Sequence, residues 1–262
     1  MATRSGRTWR YQQGIGALSM NTSNNKLVLH AQDVAIHYGG VKAVDGVTLM
    51  LTRGQIHGLI GPNGAGKSTV IDAITGRVPL TRGKVSLAGV DVTALGPTQR
   101  RKLGLSRSFQ RTSVFSQMMV RQQVELASYK MGVPDSGADA DAILQELDLM
   151  HLTHALAADL GYGEQRRLDL ALALVGRPAV LLLDEPMAGL SVRESHDLAK
   201  HLQALTSRWD VSVLLVEHDM DVVFGISDVV TVFELGRVIA SGEPAAVRAD
   251  PKVRTAYLGS AA

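Results

Sequence analysis

Two clusters of residues in this chain have the types and spacing for phosphate chemistry. The first is Gly61-Pro62-Asn63-Gly64-Ala65-Gly66-Lys67-Ser68-Thr69, which fits the pattern GxxxxGK[ST]. Glycines at these spacings let successive backbone N–H groups point inward around a phosphate. A helix that starts at the end of such a loop adds the positive end of its dipole. Lys67 is placed to reach β- and γ-phosphates, and the Ser68 hydroxyl to ligate Mg²⁺. The second cluster is Asp184-Glu185, directly after the apolar run Val180-Leu181-Leu182-Leu183. Acids at the carboxyl end of a buried strand reach the mouth of an α/β sheet, where ligands bind. Asp184 is expected to hold Mg²⁺, directly or through water, and Glu185 to polarise an attacking water.

The flanking segments suit these roles. Residues 55–60 read as a buried strand and residues 68–75 as a helix stopped by Gly76, so the glycine loop lies between strand and helix. Residues 180–183 read as a parallel strand buried on both faces. Ser191-Val192-Arg193-Glu194 is a capping box opening a helix to about residue 208, and residues 211–216 form the next buried strand. Elsewhere, residues 27–37 read as strand, turn and strand, and residues 47–51, 83–88 and 105–109 as further strands. Residues 97–103 form a short helix with Pro97 in its first turn. Residues 229–235 and 238–240 form a hairpin across Gly236-Arg237, and short helices lie near Ala245 and Arg254. From 118 to 160 the pattern is helical, over residues 120–129 and 140–147, broken by residues 131–137. This predicts a small helical subdomain inserted into an α/β core.

Bulk composition excludes several functions. The 262 residues are 45% hydrophobic and 20% charged, as in a soluble globular protein. A net charge of +2 gives no electrostatic footprint for nucleic acid. The absence of cysteine excludes disulfides, thiolate metal sites and a cysteine nucleophile. No apolar run approaches the ~18–20 residues that span a bilayer. Residues 1–26 carry Arg4, Arg7, Arg10 and Lys26, no acid and no apolar core of a secretory signal. They read as a disordered extension, with translation from Met20 as an alternative start. His151 and His154 have helical spacing but no further ligand, and read as surface or packing residues.

The order of segments over residues 27–259 resembles the ATP-binding subunit of an ABC transporter. The resemblance implies a P-loop ATPase core with an antiparallel β subdomain and a helical subdomain at about residues 111–165. It implies that Tyr38 stacks on adenine, and that Gln110, in Ser108-Phe109-Gln110, senses Mg²⁺ and contacts a membrane subunit. Leu160-Gly161-Tyr162-Gly163-Glu164-Gln165 matches the signature usually written LSGGQ, so Gly161, Tyr162, Gly163 and Glu164 are expected at the nucleotide of a partner chain. Ala188-Gly189-Leu190-Ser191 falls at the D-loop, and His218 matches the switch histidine that contacts the γ-phosphate. Two positions depart from the pattern: Gly161 stands where the signature has serine, and Ser191 where the D-loop ends in aspartate.

The finer resemblance is to branched-chain amino acid importers, in particular to the ATPase with the longer C-terminal tail. It is carried by His37-Tyr38-Gly39-Gly40-Val41-Lys42-Ala43-Val44, Tyr162-Gly163-Glu164-Gln165-Arg166-Arg167-Leu168, Val216-Glu217-His218-Asp219-Met220 and Ala256-Tyr257-Leu258-Gly259. It implies ATP and Mg²⁺ as cofactors and a peripheral place on the cytoplasmic face of the inner membrane. It also implies a second ATP-binding subunit, two membrane permease subunits and a periplasmic solute-binding protein as partners. The solute is then a branched-chain amino acid, urea, an amide or an aromatic acid. An export-type subunit and a soluble ABC ATPase are the alternatives. The closing stretch argues against the first; the single phosphate loop and the lack of long coiled coils argue against the second.

Overall fold

The computed structural model describes residues 27–108 and 112–258. The expected N-terminal extension, Gln110 and Gly259 lie outside the described residues. The strands in chain order are β1 Leu27–Tyr38, β2 Val41–Thr52, β3 Ile56–Ile60, β4 Arg82–Leu87, β5 Val90–Asp91, β6 Leu105–Ser108, β7 Val180–Asp184, β8 Ser212–Val216, β9 Val229–Glu234 and β10 Arg237–Gly242. The helices are α1 Lys67–Ile74, α2 Pro97–Lys102, α3 Val120–Lys130, α4 Ser136–Glu146, α5 Tyr162–Leu174, α6 Val192–Trp209, α7 Met220–Ile226, α8 Pro244–Ala249 and α9 Pro251–Leu258.

Two sheets form. The first is antiparallel where β1 pairs with β2 and β4, in the order β2-β1-β4-β5. The second has the order β10-β9-β3-β8-β7-β6, parallel except for the β9–β10 hairpin. Every residue of β3, β7 and β8 is buried, as expected of strands covered on both faces. α1, from the loop after β3, packs Val70, Ile71, Ala73 and Ile74 into the same core as Leu59, Leu182 and Leu214. α3, α4 and α5 share a second core with β7 and α6, through Val124, Ile143, Leu144, Leu170, Leu183 and Leu202.

Several expectations are corrected. Residues 27–38 form one strand, because Asp33 adopts φ 48° and takes up a register shift without breaking the pairing. β2 begins at Val41, since the two-residue Gly39-Gly40 turn pairs Tyr38 directly with Val41. α4 begins at Ser136, four residues early, because the Asp135 side chain accepts from Ala138 N at 2.9 Å and caps it. The hairpin turn is Leu235-Gly236, both at positive φ, rather than Gly236-Arg237. α7 and the two-residue β5 went unforeseen: both are short, and α7 is started by the Asp219 cap.

Candidate active site

The site follows from strand order. β3, β8 and β7 are parallel neighbours, with Leu59 opposite Val216 and Val216 opposite Asp184. The residues after them therefore emerge at one edge: the phosphate loop after β3, Glu217-His218 after β8, and Glu185 after Asp184 on β7. This is the carboxyl edge at which parallel sheets bind ligands.

The phosphate loop closes tightly on its surroundings. A Cβ at Gly61 would sit 2.4 Å from Phe233 O, and one at Gly66, where φ is +103°, 2.6 Å from Ala43 O. Neither position has room for a side chain. Lys67 is buried, and its Nζ donates to Gly61 O at 2.6 Å and Pro62 O at 3.1 Å, which aims the ammonium across the loop. Burial pushes the Lys67 ammonium below its usual range, while Glu185 and Asp184 pull it back up. That mutual influence brings the lysine and the two acids into one field. Ser68 is exposed in the first turn of α1.

Asp184 and Glu185 are held differently. Asp184 is buried, and its Oδ2 accepts from Arg107 Nη2 at 2.9 Å. The same guanidinium donates through Nη1 to Asp72 of α1. Glu185 stands at φ 51°, a left-handed conformation costing a non-glycine residue ~1 kcal/mol or more. Its N–H donates to Val216 O at 2.8 Å. Its carbonyl oxygen and that of Pro186 accept from Arg166 Nη2 and Nε at 2.7 and 2.8 Å. Arg166 comes from α5 and is 2% exposed. These bonds hold the backbone in the strained turn, with the Glu185 side chain turned to His218. His218 completes the arrangement: its Nε2 lies 2.6 Å from Glu185 Oε1 and donates in the tautomer that carries the proton there.

The expected signature residues begin α5. Gly161 is the N-cap, and its N–H donates to Glu164 Oε2 at 2.8 Å. Tyr162 Oη donates to Ala188 O at 3.1 Å, and the backbone of Gly163 lies so close to Glu194 that a Cβ there would meet Oε1 at 2.3 Å. Ser191 caps α6 in the foreseen box, with Ser191 N donating to Glu194 Oε2 at 2.8 Å. Tyr38 ends β1 and is exposed, 53% by area.

The structure thus brings together Lys67, Asp184, Glu185 and His218. It places Tyr162 against Ala188 and Gly189 and Gly163 against Glu194, while Gly161 and Glu164 bond to each other at the start of α5. Sequence reasoning missed Arg107, Arg166 and Glu217. None of them stands out in the sequence: Arg107 lies between two serines in the four-residue strand Leu105–Ser108, and Arg166 and Glu217 sit in polar stretches.

A family model described as ABC transporter matches residues 44–188, more than half of the chain. The chain belongs to the ABC transporter family. A second model, branched-chain amino acid ATP-binding cassette transporter, matches residues 237–262. Among curated relatives, the high-affinity branched-chain amino acid transport ATP-binding protein BraF of Pseudomonas aeruginosa is 35% identical over 251 residues, 89% of this chain and 98% of that protein. LivG of Salmonella typhimurium, which bears the same description, is 35% identical over 252 residues with the same coverage. Among solved structures, the ADP conformation of MJ1267, an ATP-binding cassette of an ABC transporter, superposes with a TM-score of 0.81 at 29% identity, covering 89% of this chain and 99% of that one. The fold is therefore that of ABC ATPase cassettes, and the chain is an ATP-binding ATPase subunit homologous to branched-chain amino acid importer ATPases. Neither the export-type nor the soluble alternative is favoured by these relatives.

Proposed function

We propose that this chain energises uptake of branched-chain amino acids, or of a related small polar solute, by hydrolysing ATP at an interface with a second ATP-binding subunit. The solute class is supported by the match of the closing stretch and by the names of the relatives. Among the described residues no helix is long and apolar enough to cross a membrane, so the spans of such an importer belong to other chains. In this reading two permease subunits supply them, a periplasmic binding protein delivers the solute, and this chain works peripherally on the cytoplasmic face.

The convergence of Lys67, Asp184, Glu185 and His218 on one sheet edge carries the reading of the site. The phosphate loop's N–H groups and Lys67 bind the β- and γ-phosphates. Tyr38 offers an aromatic face to adenine. Glu185 accepts a proton from the attacking water, and His218, bonded to Glu185, orients that carboxylate and contacts the γ-phosphate. The donors available for Mg²⁺ are hard oxygens, the Ser68 hydroxyl and the Asp184 carboxylate, with Gln110 as a third. Among the described residues no cluster of three metal-binding side chains exists. One carboxylate plus nucleotide phosphates is a set that suits Mg²⁺. The chemistry it supplies when bound is neutralisation of the β- and γ-phosphate oxygens.

Gly161, Tyr162, Gly163 and Glu164 open α5, with Gly161 and Tyr162 exposed, and a helix N-terminus suits the γ-phosphate of a nucleotide held by a partner chain. A ligand held by two chains binds the closed pair better than the open one, which is what allows ATP to drive closure. The decisive experiment is Glu185→Gln in the assembled transporter. It is expected to bind ATP, to accumulate as a closed dimer and to lose turnover. Normal turnover would refute Glu185 as the general base.

A further inference from the structure

The roles above leave one carboxylate at the site unused. Glu217, directly before His218, is 4% exposed. Its Oε1 accepts from Met187 N at 2.7 Å, and its Oε2 accepts from His218 N at 3.2 Å. Met187 lies two residues beyond Glu185, in the segment that leaves β7, whereas Glu217 and His218 leave β8. One side chain therefore ties the two segments whose relative position sets the 2.6 Å contact between His218 Nε2 and Glu185 Oε1. The backbone adds a parallel tie, from Glu185 N to Val216 O.

The choice of residue is informative. Burial raises the Glu217 carboxyl above the usual range, against the pull of the two N–H donors, and the nearby Glu185 raises it further. A buried carboxylate beside another acid is a costly way to fill space. An apolar residue would fill it but leave both N–H groups unanswered, and a glutamine has one acceptor oxygen for two donors. A carboxylate answers both at once, one oxygen to each donor.

We propose that Glu217 is a positioning residue for hydrolysis: by bridging Met187 N and His218 N it holds His218 against Glu185. This rests on the roles given to Glu185 and His218 under the proposed function. Glu217→Gln keeps the volume and one acceptor but turns an amide N–H toward a backbone N–H. In the assembled transporter it is expected to lower kcat about ten-fold. KM for ATP and the affinity for a fluorescent ATP analogue should stay within about two-fold, because the phosphate loop is untouched. In a His218→Ala background the same change should cost less than about two-fold, since the residue it positions is gone.

A kcat fall below about five-fold overturns the proposal, as does a loss of kcat accompanied by a raised KM and lowered thermal stability, or losses that multiply in the double variant. Should glutamine prevent folding, Glu217→Asp decides by the same readouts, since it keeps the charge and shortens the reach. Turnover retained in Glu185→Gln and His218→Ala would instead overturn the underlying site assignment. Loss in those two variants with an inert Glu217→Gln would overturn only the positioning role.

Discussion

Gly161→Ser tests whether a missing hydroxyl limits hydrolysis at the interface this chain completes. Gly161 has φ −62° and ψ 160°, open to any residue. The nearest heavy atom to an added Cβ is Glu164 Oε2 at 3.6 Å, an ordinary contact. A serine therefore enters without strain. As an N-cap it gains only a few tenths of a kcal/mol over glycine. In a protein of this size that moves Tm by about 1 °C. Catalysis should change far more. A restored hydrogen bond to a charged phosphate contributes about 1.5–3 kcal/mol. At 1.36 kcal/mol per decade, that is roughly ten- to 150-fold in rate if the bond forms in the transition state. The assay is steady-state phosphate release by the assembled transporter at saturating ATP, with Tm measured on the same preparations. A rate within about two-fold of the parent, at unchanged stability, would refute the reasoning. It would show that the N–H groups opening α5 already supply what the hydroxyl does elsewhere.

Two further expectations concern stability. His57 on β3 is buried, with Nδ1 3.1 Å from Met50 O and Nε2 2.8 Å from Thr231 Oγ1, and burial pushes its pKa down to about 4. The folded state therefore favours the neutral ring; stability is full above pH ~6.5 and falls as pH drops toward 4, by about 3 kcal/mol over that window. Urea midpoints at pH 7.5 and 5 should separate accordingly, and His57→Gln should flatten the difference; an equal slope in both proteins would exclude His57 as the source. Ser191→Ala removes the cap of α6, where Ser191 Oγ accepts from Glu194 N at 3.3 Å, and should cost about 0.5–2 kcal/mol by chemical unfolding. Ser191→Asp, the usual D-loop residue, keeps a capping acceptor but replaces the Ser191 Oγ donation to Glu194 Oε2 at 2.6 Å by a contact between two carboxylates, so it should also be less stable than the parent, by about 0.5–1 kcal/mol at pH 7.

The sequence by itself determined the features whose cause is local. The phosphate loop was legible because strand, glycines, lysine and helix are contiguous. Asp184-Glu185 stood out because an uninterrupted apolar run ended in two acids. The α6 capping box was legible because Ser191 and Glu194 are three residues apart. Local pattern misled where pairing partners decided the outcome. β1 stays continuous through Asp33 because β2 and β4 hold it from both sides.

Tertiary structure alone decided how these pieces meet. The order β3-β8-β7 sets three loops at one edge, and nothing in the individual segments encodes which strand lies between which. It also assigned the residues that hold the acids. Arg107 meets Asp184 across 77 positions, Glu217 meets Met187 across 30, and Arg166 meets Glu185 across 19. A single polar side chain leaves no periodic trace. Its role comes from burial, which makes an unanswered charge or N–H so costly that each must find a partner wherever the fold brings one.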